Sequence, residues 1–377
     1  MDFDYSEEQE MLRTSARDFL EVEYPRTLVR EMEEDELGYP PELWRKMANL
    51  GWMGLIIPEE YGGSGGDFLD LAILFEEMGR ACMPSLFFST VILGGLPIII
   101  SGTEGQKQEL LPGVADGETM ITMALVEPSG RYEADSIATR AIMENNEFVV
   151  TGTKLFVPDA HVADYILCVA RSKEDDTPEG GISVILLDGR SPGIEYTNLR
   201  TIASDKQLEL VFNGARSPRD RILGEPNEGW SVVKKVLEFA SVAKCAELVG
   251  GLQRVLEMAT EYAKERQQFG QLIGSFQAIK HHCANILIDV DGARLITYEA
   301  AWRLANSLPA SKEASMAKAW VSEISHRVTL LGHEIFGGIG FTRDHDMQLY
   351  YRRAKAAALN FGDADFHREL VARQLWN

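Results

Sequence analysis

Cysteine is scarce. The 377 residues contain four, Cys82, Cys168, Cys245 and Cys283, and no two form a C-x-x-C pair. That spacing gives neither a disulfide framework nor a thiolate zinc site, and predicts reduced, buried thiols. A basic excess is also lacking: the net charge of −21 leaves no electropositive face for a nucleic acid or an anionic membrane. No long hydrophobic run occurs. Pro97-Ile-Ile-Ile-Ser101 is far too short to span a bilayer, so no membrane insertion is expected. The acidic opening Met1-Asp-Phe-Asp-Tyr-Ser-Glu-Glu-Gln-Glu10 has no apolar signal-peptide core, and with the thiols this predicts a cytoplasmic protein. The glycine-rich segment Gly51–Gly66 lacks the Gly-Lys-Ser/Thr ending of a P-loop and reads as a structural turn. His281 and His282 are adjacent and point to different faces, and His345 has no third ligand at suitable spacing, so no metal site is expected.

What is present suits a large globular chain of two or three structural units: 45% hydrophobic and 25% charged residues. Residues 1–118 read as an all-α domain. Ser6-x-x-Gln9 is a capping box, and Met11, Leu12, Ala16, Phe19 and Leu20 follow at helical spacing. Pro40-Pro41 opens a helix that buries Leu43, Trp44, Met47 and Leu50. Leu69–Arg80 and Ser85–Ser101 read as apolar helices, and Thr103 starts another. Residues 119–225 read as a β domain. Glu147–Val157 reads as strand, turn and strand, with further strands at 163–171, 181–187 and 208–216. Helical periodicity returns over 226–377. The expected class is α+β multidomain, in the order α, β, α.

The most informative stretch is 261–280. Arg266 and Phe269 are three apart, as on one helical face, Gly270 and Gly274 bracket a turn, and Ser275 suits the N-cap of a helix carrying Gln277. A cation beside an aromatic on a glycine-ended ledge suits a phosphate-bearing, flat-ringed ligand. The bland alternative is a solvated arginine beside a core phenylalanine.

The pattern Arg266-x-x-Phe269-Gly270, Gly274-x-Phe276-Gln277 and Phe336-Gly337-Gly338-x-Gly340-Phe341 resembles the acyl-CoA dehydrogenase family, from about Phe3 to Arg373. The resemblance implies an N-terminal helical domain, a middle β-barrel and a C-terminal four-helix bundle, with FAD as cofactor. It implies that Arg266 and Phe269 reach across a subunit interface to a neighbour's FAD, with Gln277, Gly337 and Gly338 alongside; Glu334 replaces a family glutamine, and an acid there sits poorly beside a pyrophosphate unless it meets the ribose hydroxyls. In the middle domain it places Leu125, Val126, Arg131, Phe156 and Pro158 at the flavin. Val126 replaces a threonine, Arg131-Tyr132 a Gly-Ser pair, and Phe156 a tryptophan floor. Pro158 has neither hydroxyl nor N–H. Arg131 is either a phosphate ligand or an exposed loop residue.

The family reaction removes a proton from Cα and a hydride from Cβ of an acyl-CoA. Its base belongs in a Tyr-Glu-Gly-Thr segment, which here is Asn360-Phe361-Gly362-Asp363, so Phe361 stands where the glutamate is expected. Its backbone N–H remains as a donor to the thioester carbonyl. A second family position for the base falls at Ala240, beside Ser241. Three acids are stand-ins: Glu247, two helical turns beyond Ala240 (or else an ion-pair partner of Arg254 or another cation), Asp363, where the family has a small hydroxyl residue that contacts FAD, and Asp159, which also suits a turn. The resemblance therefore implies an FAD-dependent acyl-CoA dehydrogenase with a relocated base and a bulky or cyclic acyl group, working as a homotetramer (a dimer of dimers). Its partners would be an acyl-CoA and electron-transfer flavoprotein or another acceptor. The alternatives are an acyl-CoA oxidase and a non-catalytic subunit of an α2β2 assembly that completes a related chain's FAD site.

Overall fold

Ser6 opens the first helix as its spacing predicts: its Oγ accepts from the Gln9 N–H, and the Gln9 side chain accepts from the Ser6 N–H. This is a computed structural model, and it describes residues 5–84 and 86–376. The N-terminal helices are α1 (Glu7–Glu23), α2 (Arg26–Glu34), α3 (Pro41–Asn49) and α4 (Phe68–Ala81). Leu43, Trp44 and Met47 are buried, whereas Leu50 is exposed because α3 has ended. Ser85, the expected start of the next helix, lies outside the described residues. Beyond it runs a π-helix, Phe88–Gly95, followed by α5 (Leu96–Ser101), where a single α-helix was expected. α6 (Glu104–Ala115) starts from a second capping box at Thr103.

The strands are β1 (Ile121–Ala124), β2 (Arg140–Glu144), β3 (Glu147–Pro158), β4 (Tyr165–Arg171), β5 (Ile182–Asp188), β6 (Ile194–Leu199), β7 (Gln207–Pro218) and β8 (Ile222–Leu223). They form one sheet in the order β6-β7-β3-β2-β4-β5-β8, with β1 parallel to β4. No turn breaks β3. Gly152 keeps the strand going at φ +151, where an added Cβ would sit 2.5 Å from Thr139 Oγ1. Alternate residues of β3 and β7, among them Val150, Leu210 and Phe212, fill the core of the sheet. After the sheet come α7 (Gly229–Glu265), the hairpin β9 (Gln267–Gln268) and β10 (Gln271–Leu272), α8 (Gln277–Ala305), α9 (Ser311–Phe336), α10 (Met347–Leu359) and α11 (Ala364–Trp376).

Packing divides the chain into two units. One holds the described residues of 1–31, 68–83 and 241–377, and is helical apart from the hairpin. Within it α4 meets α7 backbone to backbone: a Cβ on Gly79 would lie 1.8 Å from Glu247 O, and one on Gly250 would lie 1.8 Å from Glu76 O. The neighbouring acids of α4 are neutralised from two sides, Glu77 by Arg17 at 2.6 Å and Glu76 by Arg294 at 3.0 Å. The other unit, 32–67 and 84–240, holds the sheet, α3, α6 and the π-helix, which packs against β1. All four cysteines are free thiols, and all but the half-buried Cys283 are buried. Among the described residues no helix is long and apolar enough to cross a membrane, and no group of side chains could hold a metal ion.

Candidate active site

The β unit contributes a clamped segment, 125–127, and a half-exposed ring. Leu125 and Val126 lie buried just after β1. The Lys154 ammonium, inside β3, donates to Leu125 O at 3.0 Å and to Glu127 Oε1 at 2.8 Å. Glu127 also accepts from the Ala138 and Thr139 amides at 2.8 and 3.0 Å. Burial pushes the Glu127 carboxyl up, but Lys154 and the two amides outweigh it and hold the carboxyl below its ordinary value. The Leu155 N–H donates to Val126 O at 2.8 Å, which completes the attachment of 125–127 to β3. Phe156 stands at φ +52 with 52% of its surface exposed, as a floor awaiting a flat ligand would. Pro158 offers only its carbonyl, which accepts from Thr122 Oγ1 at 2.7 Å. Asp159 is a turn residue at φ +55: its N–H donates to Lys206 O, and its carboxylate lies 2.5 Å from Ser89 Oγ on the π-helix. Arg131 is half-exposed and bonded within its own loop, to Glu133 at 3.2 Å and Asp135 at 3.1 Å.

The helical unit differs locally from the expectation. Arg266 and Phe269 do not share a helical face, because α7 stops at Glu265 and the chain turns back as the β9–β10 hairpin. Phe269 sits at its tip at φ +54, with 92% of its surface exposed and the Phe276 ring beside it edge-on at 6.1 Å. Nor does Ser275 cap α8: its hydroxyl donates to Leu272 O at 2.7 Å, and Phe276 occupies the cap position. Arg266 and Gln277 are exposed. Gly337, at φ +64 just past α9, and Gly338 are exposed, with nothing within 4 Å of where a Cβ would stand. Glu334 is exposed, 3.5 Å from His282 Nε2. Bare glycine backbone, an exposed aromatic and an arginine fit a ligand with a flat ring and phosphates better than they fit an ordinary protein surface.

No acid stands at either expected base position. Ala240 is buried, and the Ser241 hydroxyl is buried without a partner. Glu247 pairs with Lys244 at 2.6 Å, one turn earlier on α7, while Arg254 pairs with Glu257. It lines a cavity of ≈ 30 Å³ with Gly79, Cys82, Gly251 and Tyr350. Asp363 is exposed and caps α11, accepting from the Phe366 N–H at 2.9 Å. Phe361 lies between α10 and α11 at φ +63. The loop around it is held by two residues that motif reading overlooks, Lys318 and His367. A lysine inside the apolar run Ser315-Met-Ala-Lys-Ala-Trp320 is the signal that would have found the first.

Known proteins match this arrangement along its length. The N-terminal, middle and C-terminal domain families of acyl-CoA dehydrogenases match residues 6–118, 122–215 and 227–376. The probable acyl-CoA dehydrogenase YngJ of Bacillus subtilis is 32% identical over 382 residues, covering 100% of both chains. The chain belongs to the acyl-CoA dehydrogenase family. Family members are FAD-dependent flavoproteins. Butyryl-CoA dehydrogenase from Megasphaera elsdenii superposes with a TM-score of 0.93 at 27% identity, covering 100% of both chains. The ChsE4–ChsE5 complex from Mycobacterium tuberculosis superposes with a TM-score of 0.91 at 28% identity, covering 100% of this chain and 99% of that one.

Proposed function

We propose that this chain works in the FAD-dependent oxidation of an acyl-CoA as the non-catalytic subunit of a two-chain assembly, completing the flavin site of a related, base-bearing chain. One observation carries the reading: the residues that would reach a neighbour's cofactor are displayed, while Phe361 stands where the resemblance places the base. Phe269 is 92% exposed at a hairpin tip, and Gly337 and Gly338 are bare. The three stand-in acids are engaged, Glu247 by Lys244, Asp363 as a helix cap and Asp159 by Ser89. That the ChsE4–ChsE5 structure is a complex of two differently named chains supports an α2β2 assembly. When bound, FAD supplies the hydride acceptor. Arg266, Phe269, Gln277, Gly337 and Gly338 would hold the related chain's FAD from this chain. Electron-transfer flavoprotein, or another acceptor, would take the electrons.

A second reading, a homotetrameric dehydrogenase of a bulky or cyclic acyl-CoA with Glu247 as relocated base, is favoured by the cavity that Glu247 lines. Native mass, flavin content and acceptor-linked oxidation of a panel of acyl-CoAs separate the two. The chain is purified alone and after co-expression with a related dehydrogenase. Activity that appears only with the partner, and survives Glu247→Gln, is the expected result. Turnover by the chain alone that Glu247→Gln abolishes would sink the first reading.

A further inference from the structure

We infer that Lys318 and His367 are positioning residues that hold the Asn360–Asp363 loop in the shape a carboxylate at position 361 needs, so that the site remains one substitution away from proton abstraction. The inference rests on the reading of Phe361 as standing where the base belongs.

Phe361 adopts φ +63, a region that an aromatic side chain rarely occupies unless its surroundings impose it. The surroundings here do so through the backbone. Lys318, fully buried on α9, donates to Ala358 O at 3.1 Å and Gly362 O at 2.9 Å, with its third bond to Ser322 Oγ at 2.9 Å. An ammonium on the last carbonyls of α10 also meets the negative end of that helix. His367 Nε2 lies 3.0 Å from Phe361 O. A carbonyl only accepts, so Nε2 carries the proton and Nδ1, buried without a partner, is a bare lone pair. Burial, with Lys318 nearby, keeps this imidazole neutral, its pKa lowered to about 4. Gly362, at φ +100, has the Phe366 ring 2.2 Å from where a Cβ would stand, and Asp363 caps α11. Each hydrogen bond made by Lys318 and His367 to this loop goes to a backbone oxygen. A loop fixed through its backbone keeps its shape when the side chain at 361 changes.

The chemistry follows. A carboxylate introduced at 361 would take the Cα proton of an acyl-CoA. The C–H bond breaks, its electron pair stays on Cα as the thioester enolate, and the proton passes to the carboxylate and on to solvent. In D2O the carboxyl exchanges to COOD and returns a deuteron to the enolate Cα, which regenerates the carboxylate and the thioester with no oxidant consumed.

The test uses the full chain with its cofactor and partner. Amide hydrogen exchange over 358–367 is compared in the wild type, F361A, F361E, K318Q and H367Q. F361A and F361E are expected within twofold of the wild type. K318Q is expected to exchange at least tenfold faster, and H367Q moderately faster, with α9 unchanged. Faster exchange in F361A, or none in K318Q, overturns the clamp. If K318Q does not fold, S322A, which removes one partner of the amine, should raise loop exchange two- to fivefold, and no change there also overturns it. Deuterium uptake at Cα of butyryl-CoA and cyclohexanecarbonyl-CoA in D2O is then followed by NMR, in assemblies whose partner chain has its own base replaced by the matching amide. F361E should exceed the wild type at least 100-fold, and F361E/K318Q, at unchanged mass, should lose tenfold or more of that gain. A well-ordered F361E that incorporates no deuterium overturns the poised site. Wild-type protein that already incorporates it would instead count against the non-catalytic reading, and leaves the exchange result on the clamp standing.

Discussion

Lys154 and Glu127 meet at 2.8 Å with both side chains shut away from water. The pair is more than a contact between two charges, because Lys154 also holds Leu125 O and Glu127 also holds two amides, so three backbone positions depend on it. Removing one partner leaves a buried charge uncompensated. Lys154→Met is therefore expected to destabilise the β unit by about 3–5 kcal/mol. Lys154→Met with Glu127→Gln should cost clearly less than Lys154→Met alone. Urea midpoints of the three variants measure the difference, and an equal loss in the single and double variants would show that the charge pairing is unimportant.

The crossing of α4 and α7 gives a second expectation. Gly79 faces the Glu247 carbonyl and Gly250 faces the Glu76 carbonyl, each leaving 1.8 Å for a Cβ. The obstacle in both cases is backbone, which cannot swing aside. Gly79→Ala and Gly250→Ala should each cost about 3 kcal/mol or more, at the upper end for overpacking. Gly105→Ala, with nothing within 4 Å, is the control and should be neutral or stabilising. Thermal denaturation of the three variants decides it.

The pattern of helix, strand and helix was legible in the sequence because period and length carry it: β7 alternates burial along its length and α4 carries the apolar run Leu71–Phe75. What was not legible is what depends on partners distant in sequence. Gly152 looked like a turn, yet it is a strand residue that makes room for Thr139. Arg266 and Phe269 looked like neighbours on a helix, but the helix ends at Glu265, before both. Glu247 was visible as an acid in an apolar run and as one half of an ion pair with Arg254 or another cation; the cation is Lys244 at 2.6 Å, on the same face one turn back. Asp363 was visible as an acid near the base position, but its capping of α11 needed the helix boundary to be known.

The exposed ring of Phe269 separates folding from assembly. A side chain with 92% of its surface free contributes little to the fold, so Phe269→Ala should leave the denaturation midpoint of the isolated chain within about 0.5 kcal/mol. If the ring covers a neighbour's cofactor, the same variant should lower the flavin retained by the assembled enzyme about tenfold or more, the effect of roughly 1.4 kcal/mol of lost stacking. Flavin absorbance after gel filtration reads this directly. Undiminished flavin in an assembly of normal mass would remove Phe269 from the cofactor site.

His367 makes the helical unit sensitive to acid. Burial, then the Lys318 charge, lowers its pKa from 6.5 to about 4 in the folded chain. Between those values the unfolded chain binds a proton that the folded chain refuses, so stability falls as pH falls. The contribution is complete above pH 6.5 and is lost progressively towards pH 4, with a full span of about 3 kcal/mol. His367→Gln keeps a donor for Phe361 O and removes the titration. The variant should therefore be less stable than the wild type at pH 7.5 or equal to it, yet lose less stability on acidification to pH 5. Urea midpoints at the two pH values, measured on both proteins, give the comparison as a difference of differences, in which the carboxylates common to both cancel. An identical acid response in the two proteins would mean that the imidazole gains its proton in the folded state as easily as in the unfolded one, and that burial does not keep it neutral.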